Sequence, residues 1–132
     1  MKEELILIVD DQPGVRRLLV EALRQAGFKV SMAASGEEGL RKILTEKPSL
    51  AIVDMKMPGM NGVDFLRELH KRSYHLPVIA ITAYEDKELA EQAQKLGARY
   101  LLHKPFDLST LYTMVNSALT CDYCWELEAI LI

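Results

Sequence analysis

Five side chains able to do chemistry sit at the ends of short apolar runs. Asp10 and Asp11 follow Leu5–Val9, Asp54 follows Leu50–Val53, Thr82 follows Pro77–Ile81, and Lys104 closes a short run that starts near Arg99. Any one of them is ordinary, because a chain emerging into water takes on polar residues. Together they bring three carboxylates, one hydroxyl and one ammonium to a single sheet edge if the runs are neighbouring strands. Carboxylates at close range repel one another unless cations intervene. Lys104 supplies one cation and solution supplies the other. An oxygen-only donor set open to water, with no thiolate or imidazole, suits Mg²⁺ better than a calcium cage or a zinc site. Beside such a cation a carboxylate can act as nucleophile and form an acyl phosphate, with Thr82 and Lys104 binding the phosphate oxygens.

The elements that must position these residues alternate in period. Leu5–Val9 is continuously apolar and β-rich, as in a parallel strand covered on both faces. Pro13 opens a helix whose apolar residues from Val15 to Ala26 recur at 3.6, and Gly27 stops it. A second strand, Phe28 to Ala33, leads to Ser35-Gly36-Glu37-Glu38, a capping-box pattern. Strand three ends at Asp54, and a Pro/Gly-rich loop precedes a helix reaching about Lys71. Strand four, Pro77 to Ile81, precedes a helix over Glu85–Leu96. Strand five covers about Arg99 to Leu102, and a last helix runs from after Asp107 to at least Leu119. Five strand–helix units without a low-complexity linker predict an α/β fold, a doubly wound five-stranded parallel sheet in three α/β/α layers. In such sheets ligands bind outside the carboxyl ends of the strands, where the five reactive residues lie.

Composition narrows the partners. The chain has 132 residues, 16 Lys+Arg and 19 Asp+Glu, for a net charge of -3. That length suits one domain with its own core. No basic run is present to neutralise a phosphate backbone, so nucleic acid is not expected as a partner. Neither a membrane span nor a signal-peptide core is visible, so the expected location is cytoplasmic; a monomer is the expected state. Setting aside Asp10, Asp11, Asp54 and Lys104 leaves 16 acids against 15 bases. The acidity thus belongs mainly to the site.

The motifs Val9-Asp10-Asp11-Gln12, Asp54 through Pro58-Gly59-Met60-Asn61-Gly62, Thr82-Ala83 and Lys104-Pro105-Phe106, in this order and spacing, resemble the receiver domain of two-component response regulators over about residues 4–119. The resemblance implies a flavodoxin-like receiver fold and a phosphotransfer intermediate rather than a turnover enzyme. It implies that Asp54 is the phosphoacceptor and that Asp10, Asp11, Asp54 and the Lys56 backbone carbonyl bind Mg²⁺. Thr82 would be the switch hydroxyl and Lys104 the phosphate-binding lysine. The implied partners are a sensor histidine kinase and a histidine phosphotransferase.

Within the family, Asp10-Asp11-Gln12 with Gly14 and Arg16, Thr82-Ala83-Tyr84 and Lys104 to Asp107 are more similar to the single-domain sporulation phosphorelay type than to the chemotaxis regulator. Leu101 stands where many receivers carry a switch aromatic, and Tyr100 is one step away, facing the other side of the strand. The expected role is therefore a stand-alone relay. A phosphorylation-switched binding module, or the receiver of a longer regulator, is the alternative. Gln12, Gly14, Val15, Leu18, Tyr84, Pro105 and Phe106 border the acid cluster and are the candidate partner-binding surface. His70 and His75 read as solvated surface, and alternation along strand five turns His103 away from the site. Cys121 and Cys124 have no second pair to complete a four-ligand metal site. Residues 120–132 form an extension with no assigned role. No Gly-x-x-x-x-Gly-Lys motif follows strand one, Asp54-Met55-Lys56 is not the Asp-x-Asp of a haloacid-dehalogenase phosphatase, and no flavodoxin phosphate loop is present.

Overall fold

In a computed structural model, which describes residues 4–83 and 85–120, strands and helices alternate throughout. The order is β1 (Leu5–Val9), α1 (Pro13–Gln25), β2 (Lys29–Ala33), α2 (Gly36–Glu46), β3 (Leu50–Asp54), α3 (Gly62–Lys71), β4 (Val78–Ala83), α4 (Lys87–Lys95), β5 (Tyr100–Lys104) and α5 (Leu108–Thr120). The five strands form one parallel sheet in the order β2-β1-β3-β4-β5. The expected doubly wound α/β architecture is therefore present. Among the described residues no helix is long and apolar enough to cross a membrane.

Alternation along the strands divides the core in two. Ile6, Ile8, Leu50, Ile52, Ile79, Ile81 and Leu102 meet α1 and α5 through Leu19, Leu23, Leu111 and Val115. The opposite face of the sheet, with Leu7, Val9, Ala51, Val53 and Ala80, meets α2, α3 and α4 through Ile43, Phe65, Leu66 and Ala93. Each fully buried Ile or Leu contributes about 1.5–3 kcal/mol, so the strands that carry the site stand on the best-packed part of the molecule.

The helix signals hold in detail. Pro13 opens α1, and Gly27 and Gly97, both at φ +97°, follow α1 and α4. Ser35 Oγ accepts from the Glu38 amide at 3.2 Å, while Glu38 Oε1 reaches back to the Ala34 amide at 2.8 Å. Asp107 Oδ1 accepts from the Thr110 amide at 2.8 Å, which caps α5. This bond holds the Asp107 carboxyl below its ordinary range. The boundaries shift slightly: β2 begins at Lys29 instead of Phe28, and α4 covers Lys87–Lys95 instead of Glu85–Leu96. β4 and β5 run on through Ala83 and Lys104, so Thr82 and Lys104 are the last rungs of the ladder and not loop residues.

The turn from β3 to α3 is sterically tight. A Cβ on Gly62 would stand 2.6 Å from the Met55 Cα and 2.5 Å from its Cε. Met55 is fully buried between Asp54 and Lys56, so its main chain cannot retreat without moving both. Gly62→Ala is expected to destabilise the fold by about 2 kcal/mol, read as a lower urea midpoint. An unchanged midpoint would mean that this turn relaxes freely.

Candidate functional site

Sheet order explains why the acids meet. β1 and β3 are hydrogen-bonded neighbours with Val9 opposite Val53, so Asp10 and Asp54 emerge side by side where the connections leave in opposite directions. One carboxylate oxygen from each of Asp10, Asp11 and Asp54 lies within 4.8 Å of the other two. Asp10 and Asp54 are buried, at 0 % and 2 % exposure, and Asp11 is half-buried.

The backbone orients the two buried carboxylates. Asp10 Oδ1 accepts from the Gln12 amide at 2.9 Å, and Asp54 Oδ1 accepts from the Lys56 amide at 3.1 Å. This second bond folds the β3 end so that the Lys56 main chain lies beside the acids. Lys104 comes from β5, two strands away, and its long arm brings Nζ to 3.4 Å from Asp54 Oδ2. Asp10 Oδ2 and Asp11 Oδ1 are buried with no hydrogen-bond donor. A buried carboxylate oxygen without a donor is costly unless a cation meets it. Burial, opposed by the Gln12 amide and reinforced by the Asp54 charge, pushes the Asp10 carboxyl up to about 6. The donor set and its two orphan oxygens fit a hard divalent cation.

The other sequence-derived candidates differ in exposure. Gln12 and Gly14 are exposed and Val15 is half-buried. Leu18 is 49 % exposed, so it belongs to the surface and not to the core stripe of α1. Pro105 is exposed and Phe106 half-buried against the α1/α5 core. Tyr84 and the Cys121/Cys124 pair lie outside the described residues. His70 and His75 are solvent-exposed, as expected. Leu101 packs toward α3 and α4 while Tyr100 packs toward α1 and α5, so the two do face opposite sides.

Two contacts were not anticipated. Arg16 from α1 donates from an Nη to the Asp10 carbonyl at 2.8 Å, tying the helix to the acid-bearing turn. The sequence marks Arg16 as part of the motif after strand one and as a basic residue one turn into a helix that starts beside acids, but neither signal names its partner. The second contact overturns an expectation. His103 does not turn away: its Nδ1 lies 3.2 Å from Thr82 Oγ1. Alternation does set His103 opposite to Lys104, but Thr82 pairs with His103 across β4 and β5 and so faces the same side.

Comparison with known proteins agrees with this fold. The family described as response regulator receiver domain matches residues 6–116. Sporulation initiation phosphotransferase F of Bacillus subtilis is 37% identical over 119 residues, spanning 90% of this chain and 96% of that protein. The DNA-binding transcriptional regulator NtrC of Klebsiella pneumoniae is 36% identical over 120 residues, which span 91% of this chain but only 26% of that protein. Among solved structures, Vibrio cholerae chemotaxis protein CheY4 superposes with a TM-score of 0.83 at 29% identity, covering 89% of this chain and 100% of that one. With a family match along most of its length, the chain belongs to the response regulator receiver domains.

Proposed function

We propose that this receiver takes a phosphoryl group from a phosphohistidine on a sensor kinase onto Asp54 and passes it on to a histidine phosphotransferase. The observation that carries the proposal is the Asp10/Asp11/Asp54 cluster, with two orphan oxygens and Lys104 at 3.4 Å from the central carboxylate. Asp10, Asp11, Asp54 and the Lys56 carbonyl would hold Mg²⁺, which when bound offsets the negative charge on the phosphoryl oxygens. An Asp54 carboxylate oxygen attacks phosphorus, the new O–P bond forms as the P–N bond breaks, and the leaving imidazole nitrogen keeps the electron pair and takes a proton from solvent. Lys104 balances charge on the transferred group, and the Thr82 hydroxyl donates to one of its oxygens. Onward transfer reverses these bonds on a second histidine.

Docking places a histidine-bearing helix over the mouth of the site. Exposed Gly14, Leu18 and Pro105, with half-buried Val15 and Phe106, supply an apolar rim there, and exposed Gln12 adds a polar contact. The relay reading draws on the sporulation relative, similar along 96% of its length, and on Leu101 at the place of the switch aromatic. The receiver unit spans about residues 4–119 and acts alone as a cytoplasmic monomer. The likeness to CheY4 and NtrC favours a second reading, a receiver whose phosphorylation controls docking or an attached output.

The test is transfer of ³²P from a phosphorylated kinase. Label is expected on the chain with Mg²⁺ and not with excess EDTA, and addition of a histidine phosphotransferase should then drain it. No labelling with Mg²⁺ would refute the phosphoacceptor reading. Label that stays on the chain beside an active phosphotransferase would favour the binding module.

A further inference from the structure

The His103–Thr82 contact sits where the proposed chemistry needs Thr82 free. Thr82 is 3 % exposed, and its Oγ1 lies 3.2 Å from His103 Nδ1. A hydroxyl has one proton to give. A phosphoryl group on Asp54 presents only acceptor oxygens, so it requires that proton together with a rotamer aimed at β3. His103 stands on the other side, on β5, in register with Thr82 and one residue before Lys104. The two neighbours in β5 thus act in opposite senses: Lys104 reaches the acceptor, while His103 holds the hydroxyl that must later join it.

We infer that His103 is a positioning residue that restrains the Thr82 hydroxyl in the resting receiver and so sets how strongly phosphorylation is favoured. The inference rests on the phosphoacceptor reading of Asp54. In the tautomer with its proton on Nε2, His103 accepts the Thr82 proton at Nδ1, so phosphorylation exchanges a Thr82–imidazole hydrogen bond for a Thr82–phosphoryl one and the imidazole subtracts from the gain. Removing it leaves a buried hydroxyl without this partner until phosphoryl oxygens arrive, which raises the resting state alone.

Beryllofluoride with Mg²⁺, a non-covalent stand-in for the aspartyl phosphate, gives an equilibrium readout by titration calorimetry on the full chain. His103→Leu is expected to bind it about fivefold more tightly than wild type, the value of one ordinary hydrogen bond. In a Thr82→Ala background the same substitution should change nothing, because the restrained group is gone. An equal gain in both backgrounds, or none in either, overturns the inference. Should His103→Leu fail to fold, two polar variants decide. His103→Asn sets an amide near the Nδ1 position and should match wild type, whereas His103→Gln reaches past it and should tighten binding. Matching affinities for these two variants count against the role. A wild-type chain that binds no beryllofluoride with Mg²⁺ would instead refute the phosphoacceptor reading, which separates the two failures.

Discussion

Asp54→Asn is expected to take no label from a phosphorylated kinase, below about one-thousandth of wild type, because the nucleophile itself is removed. The substitution is close to isosteric. The amide oxygen can still accept the Lys56 N–H that Asp54 Oδ1 accepts at 3.1 Å, so the β3 turn keeps its shape. What disappears is the nucleophilic carboxylate and the negative partner of Lys104, 3.4 Å away. Removing that charge also removes one of the influences that raise the Asp10 carboxyl, so the folded chain is not penalised and loss of label is not loss of structure. Circular dichroism should therefore be unchanged. Comparable labelling of the variant would move the acceptor to Asp10 or Asp11 and dismantle the assignment.

Much of this site was legible because parallel strands buried on both faces leave an abrupt change from apolar to charged residues at their ends. Val9 to Asp10 and Val53 to Asp54 are such changes, and sheet order then places them side by side. The acid cluster needed only strand order. The His103–Thr82 pair needed more, because alternation within β5 says which way His103 faces relative to Lys104 but not which way Thr82 faces in β4. That relation is set by the pairing of Thr82 with His103, and no local pattern carries it. Arg16 escaped for a related reason: its flexible arm reaches a main-chain oxygen, which every residue has and no motif marks. Leu18 falls at helical spacing with the core stripe of α1, yet it is one residue before Leu19, about 100° around the helix, and its exposure of 49 % places it at the rim.

Asp10→Asn is expected to stabilise the metal-free fold while impairing the site. The Asp10 carboxyl is raised from 3.8 to about 6, chiefly by burial. The folded chain therefore holds this proton more tightly than the unfolded chain. Stability falls as pH rises from about 4 through 6, and above that the ionised carboxylate costs about 2–3 kcal/mol. Asparagine carries no charge to desolvate. Its oxygen can keep the Gln12 amide, and its NH₂ can occupy the place of Oδ2, which has no donor, and turn hydrogen-bond donors toward the neighbouring carboxylates. In EDTA at pH 8 the urea-unfolding free energy of Asp10→Asn should exceed wild type by about 2–3 kcal/mol, with the gain shrinking to about 1 kcal/mol near pH 4.5. Saturating Mg²⁺ should reverse the order, since it stabilises only the chain that binds it well. Equal stability of the two chains in EDTA at pH 8 would mean that the buried carboxylate carries no cost. A gain that Mg²⁺ erases would instead identify the acid cluster as a deliberate instability, relieved by the cation on which phosphoryl transfer depends.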